Sequence, residues 1–262
     1  HYWMKFAMPL LVFSLILLIL VFVPQLGFSH GGANRWLSLG FVTFQPAELA
    51  KLSIAIFFAA WFAKRKAHDD DNDHSIGNFY YTLLPFLLYL GVITILIALQ
   101  PDIGTLSVIV VIALSIYWLA GMRYRHLALI ILLVVVSFGI LIKAAPYRMN
   151  RLTAFLNPES DTLGVSYQIN QSLLAIGSGG VLGLGLGQSK QKYQYLPEVV
   201  GDSISAVIAE ELGFIITSGF ILLYLYFIYL GFSIASRAPD DFSKFLAGGI
   251  TAWFAYQALI NM

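Results

Sequence analysis

The sequence predicts an all-α polytopic membrane protein, and three observations predict it. The 262 residues are 59% hydrophobic and only 11% charged, against about a quarter charged in ordinary soluble domains. Mean hydropathy is +0.80. The apolar residues fall in repeated runs of about 20, the length a helix needs to cross the hydrocarbon core with its backbone satisfied internally.

Seven such runs are expected to be spans: 6–26, 46–63, 79–99, 103–120, 126–142, 206–231 and 242–262. Together they make one partial transmembrane domain over 1–262. Pro46 suits the first position of the second span, where its missing N–H costs nothing. The fourth and fifth spans are short and joined by the tight turn GMRYR. The segment before the second span, GFSHGGANRWLSLGFVTFQPAE, offers Trp36, Leu37, Leu39, Phe41 and Phe44 to the membrane interface without crossing it.

Orientation follows from basic residues in short loops. With alternating spans, Lys5, Lys64, Arg65, Lys66, Arg123, Arg125, Arg237 and Lys244 share one side, while Arg35 alone occupies a short loop on the other. The large loop at 143–205 therefore faces outward, between the fifth and sixth spans. The chain opens on His1 and closes inside a span, so it is expected to be an excerpt of a longer protein with spans missing.

Several chemistries are set aside. With no cysteine there are no disulfides or thiolate metal sites, and a net charge of +1 gives no reason to expect nucleic acid. KRKAHDDDND at 64–73 lacks the spacing, glycine and terminal glutamate of a calcium loop, and reads as a solvated linker behind a basic anchor. His68 and His74 in and beside it make a weak metal pair for the same reason. Six glycines crowd residues 177–187. They follow no predicted strand and lack the Gly-Lys-Ser/Thr of a phosphate loop, so re-entrant or interfacial backbone is expected there.

What remains is a set of polar residues at span boundaries. Glu48 and Lys51 lie three residues apart in the second span, and ionisable groups there need a partner, a protein neighbour or a wet cavity. The pair is either a structural lock between helices or part of a cavity. Asp102, in QPDIGT, is read first as the cap of the helix beginning at Ile103. Asp202, just before the sixth span, is either another cap or a general base. Glu210 follows two turns deeper, about 80° around the helix, and an outward carboxylate backed by a buried one suits acid–base chemistry in a cleft.

Taken in order, GGANRWLSLGFVTFQPAELAKL, QPDIGTL, LNPESDTLGVSYQINQSLLAIGSGGVLGLGLGQSKQKYQYLPE and GDSISAVIAEELGF closely resemble the SEDS family of bacterial cell-wall polymerases. QKYQYLPE and AVIAEELGF favour its FtsW-like branch over the RodA-like one. The resemblance implies a ten-helix glycosyltransferase of the bacterial cytoplasmic membrane, here represented by its third to ninth helices. It would polymerise lipid II into β-1,4 glycan strands at the outer face. By position Asp202 matches the family's essential aspartate, Glu48 and Lys51 its polar pair, and Arg35 and Asp102 further cavity residues. Residues 203 and 205 are serine where the family commonly has phenylalanine, which changes the packing around the acid.

The reaction so implied is inverting: Asp202 deprotonates the acceptor hydroxyl, and undecaprenyl pyrophosphate leaves. Arg35, Lys51, Lys190 and Lys192 are candidates for the pyrophosphate. No protein metal site is identifiable, though a divalent cation, Mg2+ or Mn2+, could arrive with the pyrophosphate. Implied partners are a class B penicillin-binding protein and other membrane proteins of division or elongation. A lipid II flippase and a non-catalytic division scaffold are the competing readings. A transporter would favour internal repeats and midplane polar sites, and the sequence has neither.

Overall fold

The computed structural model describes residues 2–24, 26–30, 33–38, 40, 43–67, 76–143, 167–191 and 203–261. Helix α1 is Tyr2–Leu20, followed by strands β1 (Gly27–His30), β2 (Ala33–Ser38) and β3 (Thr43–Phe44). Then come α2 (Pro46–Lys66), a π-turn at Phe79–Leu83 leading into α3 (Leu84–Leu99), α4 (Ile103–Ala120) and α5 (Tyr124–Lys143). Helices α6 (Tyr167–Gly179), α7 (Ile204–Ser236) and α8 (Asp241–Asn261) complete the described chain.

Each expected span contains a helix. Among the described residues, five helical segments are long and apolar enough to cross a membrane: α1, α2, Phe79–Leu99, α4 and α7. The α1 helix stops at Leu20, short of the expected 26, because Pro24 cannot continue it and the chain turns into the sheet.

Two of the loop segments carry regular structure that the sequence reading did not specify. The segment before α2 is an antiparallel sheet of order β1-β2-β3, with Phe28 opposite Trp36 and Leu37 opposite Phe44. Extended backbone near lipid must pair its N–H and C=O groups, and strand pairing does so. Within the expected loop at 143–205, the described residues form helix α6 and, after it, a glycine turn at 180–191.

The chain divides into two compact units, 1–127 with 228–257, and 128–227 with 258–262. In the first, α2 packs against α1 and α4, and α3 against α4. Ala47, Ala50, Ala55 and Ala59 are buried along α2 and let neighbouring backbones approach. Below them an aromatic cluster joins three helices. Phe62 stacks on Tyr117 at 4.6 Å between centroids, and Phe86 lies 5.0 Å from Phe58 and 4.9 Å from Tyr117. Such pairs contribute about 0.5–1.5 kcal/mol each beyond their burial. This core makes α2 a rigid support for the polar residues at its start.

Candidate functional site

In the first unit, two groups of polar residues are built on the starts of α2 and α4. Asp102 caps α4: its Oδ1 accepts the Thr105 N–H at 3.0 Å and its Oδ2 the Thr105 hydroxyl at 2.9 Å. The Gln45 amide also approaches Oδ2, at 3.4 Å, from the residue that precedes α2. Asp102 is buried, so these donors replace water around its carboxylate. From β2, Arg35 donates through Nη2 to the Pro101 carbonyl at 2.6 Å and through Nε to the Gln100 carbonyl at 3.2 Å. A guanidinium suits the carbonyl-rich C-terminal end of α3. Gln100 in turn donates to the Leu18 carbonyl of α1. Arg35 and Asp102 are thus brought to one turn by different elements.

Glu48 and Lys51 are brought together by helical spacing, with Nζ to Oε2 at 2.7 Å. Their exposures differ sharply: Lys51 is 2% exposed and Glu48 47%. Lys51 also donates to the Gln257 Oε1 of α8 at 3.0 Å, and its ammonium lies 5.2 Å from the Trp253 ring centroid. Trp253 Nε1 donates to the same Gln257 oxygen. The ammonium therefore has a carboxylate, an amide oxygen and an aromatic face around it, the partners a buried cation requires. As it stands, Lys51 ties α2 to α8 and is not open to a pyrophosphate.

In the second unit, α7 is broken at Gly213, whose φ of 75° and ψ of 179° only glycine adopts readily. In a continuous helix, the N–H groups of Phe214 and Ile215 would donate to the carbonyls of Glu210 and Glu211. They donate instead to the Gly180 and Val181 carbonyls, at 3.0 and 3.3 Å. The Glu210 and Glu211 carbonyls accept from Leu184 and Gly185, both at 3.0 Å. Two rungs of helix are exchanged for four bonds to the glycine turn, leaving those groups satisfied. The glycines follow from that contact. A Cβ on Gly179 would strike the Ala209 carbonyl, and one on Gly183 the Glu211 carbonyl.

Glu210 is 1% exposed. Its carboxylate accepts the Ser189 hydroxyl and, at 3.1 Å, the Lys190 N–H. Lys190 itself is exposed. Of the remaining expected site residues, Asp202 and Lys192 lie outside the described residues, as do His68 and His74. Next to Asp202, Ser203 is buried and the Ser205 hydroxyl donates to the Asn261 carbonyl at 3.2 Å. Among the described residues no cluster of three or more His, Cys, Asp or Glu could hold a metal.

Four residues of these clusters were missed in the sequence. Gln257 and Trp253 carried a signal, since a polar amide inside an apolar run asks for a partner. Ser189 and Gly213 carried none, because their partners are distant in the chain.

Comparison with known proteins places this geometry. The family model for the FtsW/RodA/SpoVE cell cycle proteins matches residues 1–262. The chain is 37% identical over 260 residues to stage V sporulation protein E of Bacillus subtilis, covering 99% of this chain and 69% of that protein. It is 40% identical over 264 residues to a probable peptidoglycan glycosyltransferase FtsW of Thioalkalivibrio sulfidiphilus, covering 100% and 64%. The chain thus spans about two thirds of the length of these relatives. Among solved structures, a chain from work on coordinated polymerization and crosslinking by a peptidoglycan synthase complex gives a TM-score of 0.75 at 25% identity, covering 99% of this chain and 70% of that one. The rod shape determining protein RodA of Thermus thermophilus gives 0.63 at 25% identity, covering 98% and 65%. With a family model matched over its whole length, a helical fold to agree and relatives above 30% identity, this chain belongs to the FtsW/RodA/SpoVE family of polytopic membrane proteins.

Proposed function

We propose that this chain is the greater part of a peptidoglycan glycosyltransferase that polymerises lipid II. The observation that carries the reading is the match over the full 262 residues to a family whose relatives, at up to 40% identity, are named for that activity. Asp202 acts as general base. It takes the proton from the 4-hydroxyl of the acceptor N-acetylglucosamine as that oxygen attacks the anomeric carbon of the donor N-acetylmuramic acid. The C–O bond to undecaprenyl pyrophosphate breaks in the same displacement, so an α-linked donor becomes a β-1,4 linkage. The departing pyrophosphate needs cations. Lys190 and Lys192 supply them from the glycine turn and the segment beyond it, and any Mg2+ or Mn2+ involved enters with the substrate's pyrophosphate. Arg35, fastened to the α3–α4 turn, contributes charge from the outer side of the first unit.

The reaction is assigned to the outer face of the bacterial cytoplasmic membrane, because the basic short loops lie on the opposite side. A class B penicillin-binding protein is the proposed partner; the synthase complex that contains a structural relative supports this. The test uses the full-length protein reconstituted with lipid II in liposomes, scored separately for glycan polymer and for lipid translocation. Polymer from the wild type and none from Asp202→Ala is the expected result. An Asp202→Ala protein polymerising at the normal rate defeats the assignment. Translocation without polymer would make the protein a flippase, and neither activity would make it a scaffold.

A further inference from the structure

Glu210 is a buried carboxylate that the proposed chemistry does not use. Both its partners come from the end of the glycine turn: the Ser189 hydroxyl and the Lys190 N–H. An ionised carboxylate is acceptor-only, so two converging donors match it. Ser189 is itself 1% exposed, and its own N–H lies 3.4 Å from a Glu211 side-chain oxygen. The contact is thus buried from both sides.

Its place in the chain gives it a consequence. The backbone exchange with α7 ends at Gly185. Gly185 and Gly187 then take φ of 106° and 81°, and no atom stands within 4 Å of a Cβ on Gly187. Across 186–188 the Gln188 N–H donates to the Gly185 carbonyl at 3.1 Å, a bond within the turn itself, and the glycines on either side of Leu186 sample many conformations at little cost. The Ser189 and Lys190 contacts therefore hold the end of the turn to α7 just before Lys192 in the sequence. Ser203, the residue after Asp202, is buried at the start of α7, two turns before Glu210.

We propose that Ser189 and Glu210 are positioning residues, a clasp fixing the near end of the segment that carries Lys192 and Asp202. The inference rests on the glycosyl-transfer reading for the role of that segment. Glu210 acts through Ser189 and Lys190 and does not meet the substrate, because it is buried and its carboxylate is already engaged by both donors.

The experiment compares wild type with Ser189→Ala, Glu210→Gln and Glu210→Ala in the full-length protein. It reads lipid II polymerisation kinetics and amide hydrogen exchange by peptide. Loss of the clasp should lower kcat tenfold or more with KM for lipid II changed less than twofold. Exchange across 184–190 should quicken at least tenfold while that of α2 stays unchanged. Glu210→Gln keeps an acceptor oxygen and should fall between wild type and Glu210→Ala. Should Glu210→Ala fail to fold, Ser189→Ala decides alone. Wild-type kcat in Ser189→Ala, or unchanged exchange at 184–190, overturns the proposal. A wild type that makes no polymer, with exchange still responding to Ser189→Ala, would defeat the assigned reaction and leave the clasp standing.

Discussion

Lys51 illustrates how a cation is kept inside this protein. Glu48 and Gln257 accept its hydrogen bonds and Trp253 covers it, so removing one acceptor leaves a buried donor short of a partner. Gln257→Leu should therefore destabilise the protein by about 1–3 kcal/mol, the usual cost of an orphaned buried polar group. Thermal unfolding in detergent measures it, and an unchanged midpoint would mean that water replaces the amide. At the start of α8, Asp240 accepts the Ser243 N–H at 2.9 Å and its hydroxyl at 2.8 Å. These bonds hold its carboxyl below the ordinary value. A depressed carboxylate stabilises the fold above its unfolded value, near 4, and the contribution disappears as pH falls through the lower folded value. The stability gap between wild type and Asp240→Ala should thus be about 1 kcal/mol near neutrality and close as pH falls below about 4. A gap independent of pH would show that the carboxylate charge is irrelevant. Such caps were legible in the sequence: Asp102 and Thr105 are three residues apart, and cap chemistry is local. The partner of Lys51 stands 206 residues away, and no local pattern names it.

Among the elements, α7 departs most from what its sequence announces. Its 33 residues read as one long apolar helix, yet Gly213 interrupts it and the glycine turn supplies the missing bonds. The run AEELGF shows one unremarkable glycine, and the turn that answers it lies about thirty residues earlier. The glycine cluster itself was legible as irregular backbone, but its docking partner was not. Helix α6 was hidden differently, as a stretch of 13 residues mixing apolar and polar side chains and too short to be read as a span. Three glycine substitutions separate the roles. Gly213→Ala forces a side chain into a conformation that costs about 1–3 kcal/mol and pushes a Cβ against the backbone of Leu182 and Gly183. Gly183→Ala meets the Glu211 carbonyl at a φ of 80°. Both should lower the unfolding midpoint clearly. Gly219, in the same helix, has no atom within 4 Å of a Cβ, so Gly219→Ala should be neutral or stabilising by up to about 1 kcal/mol. Equal effects at all three positions would remove the case for a docked turn.

For the whole molecule, apolar surface is distributed as a lipid environment demands. Leu88, Ile95, Leu222 and Leu223 are each more than 60% exposed, whereas α2 is buried over most of its length. Large apolar side chains facing outward on long helices are costly in water and favourable in hydrocarbon. Which face of the membrane each loop meets rests on charge. The triplet Lys64, Arg65 and Lys66 ends α2, and Lys66 pairs with Asp241 at 2.7 Å. Basic residues in short loops are retained on the cytoplasmic side, so this end of α2 should face the cytoplasm and the glycine turn the exterior. These 262 residues contain no cysteine, so within them a single introduced thiol is the only one, and any cysteine elsewhere in the full-length protein is first replaced by serine. Ala67 and Gln188 are both exposed, and neither belongs to a proposed site. In intact spheroplasts of cells making the full-length protein, a membrane-impermeant maleimide should label Gln188→Cys at once. It should label Ala67→Cys only after permeabilisation. The reverse pattern would turn the protein over, placing Lys190 and the glycine turn on the cytoplasmic side. It would also remove the reason for assigning polymerisation to the outer face.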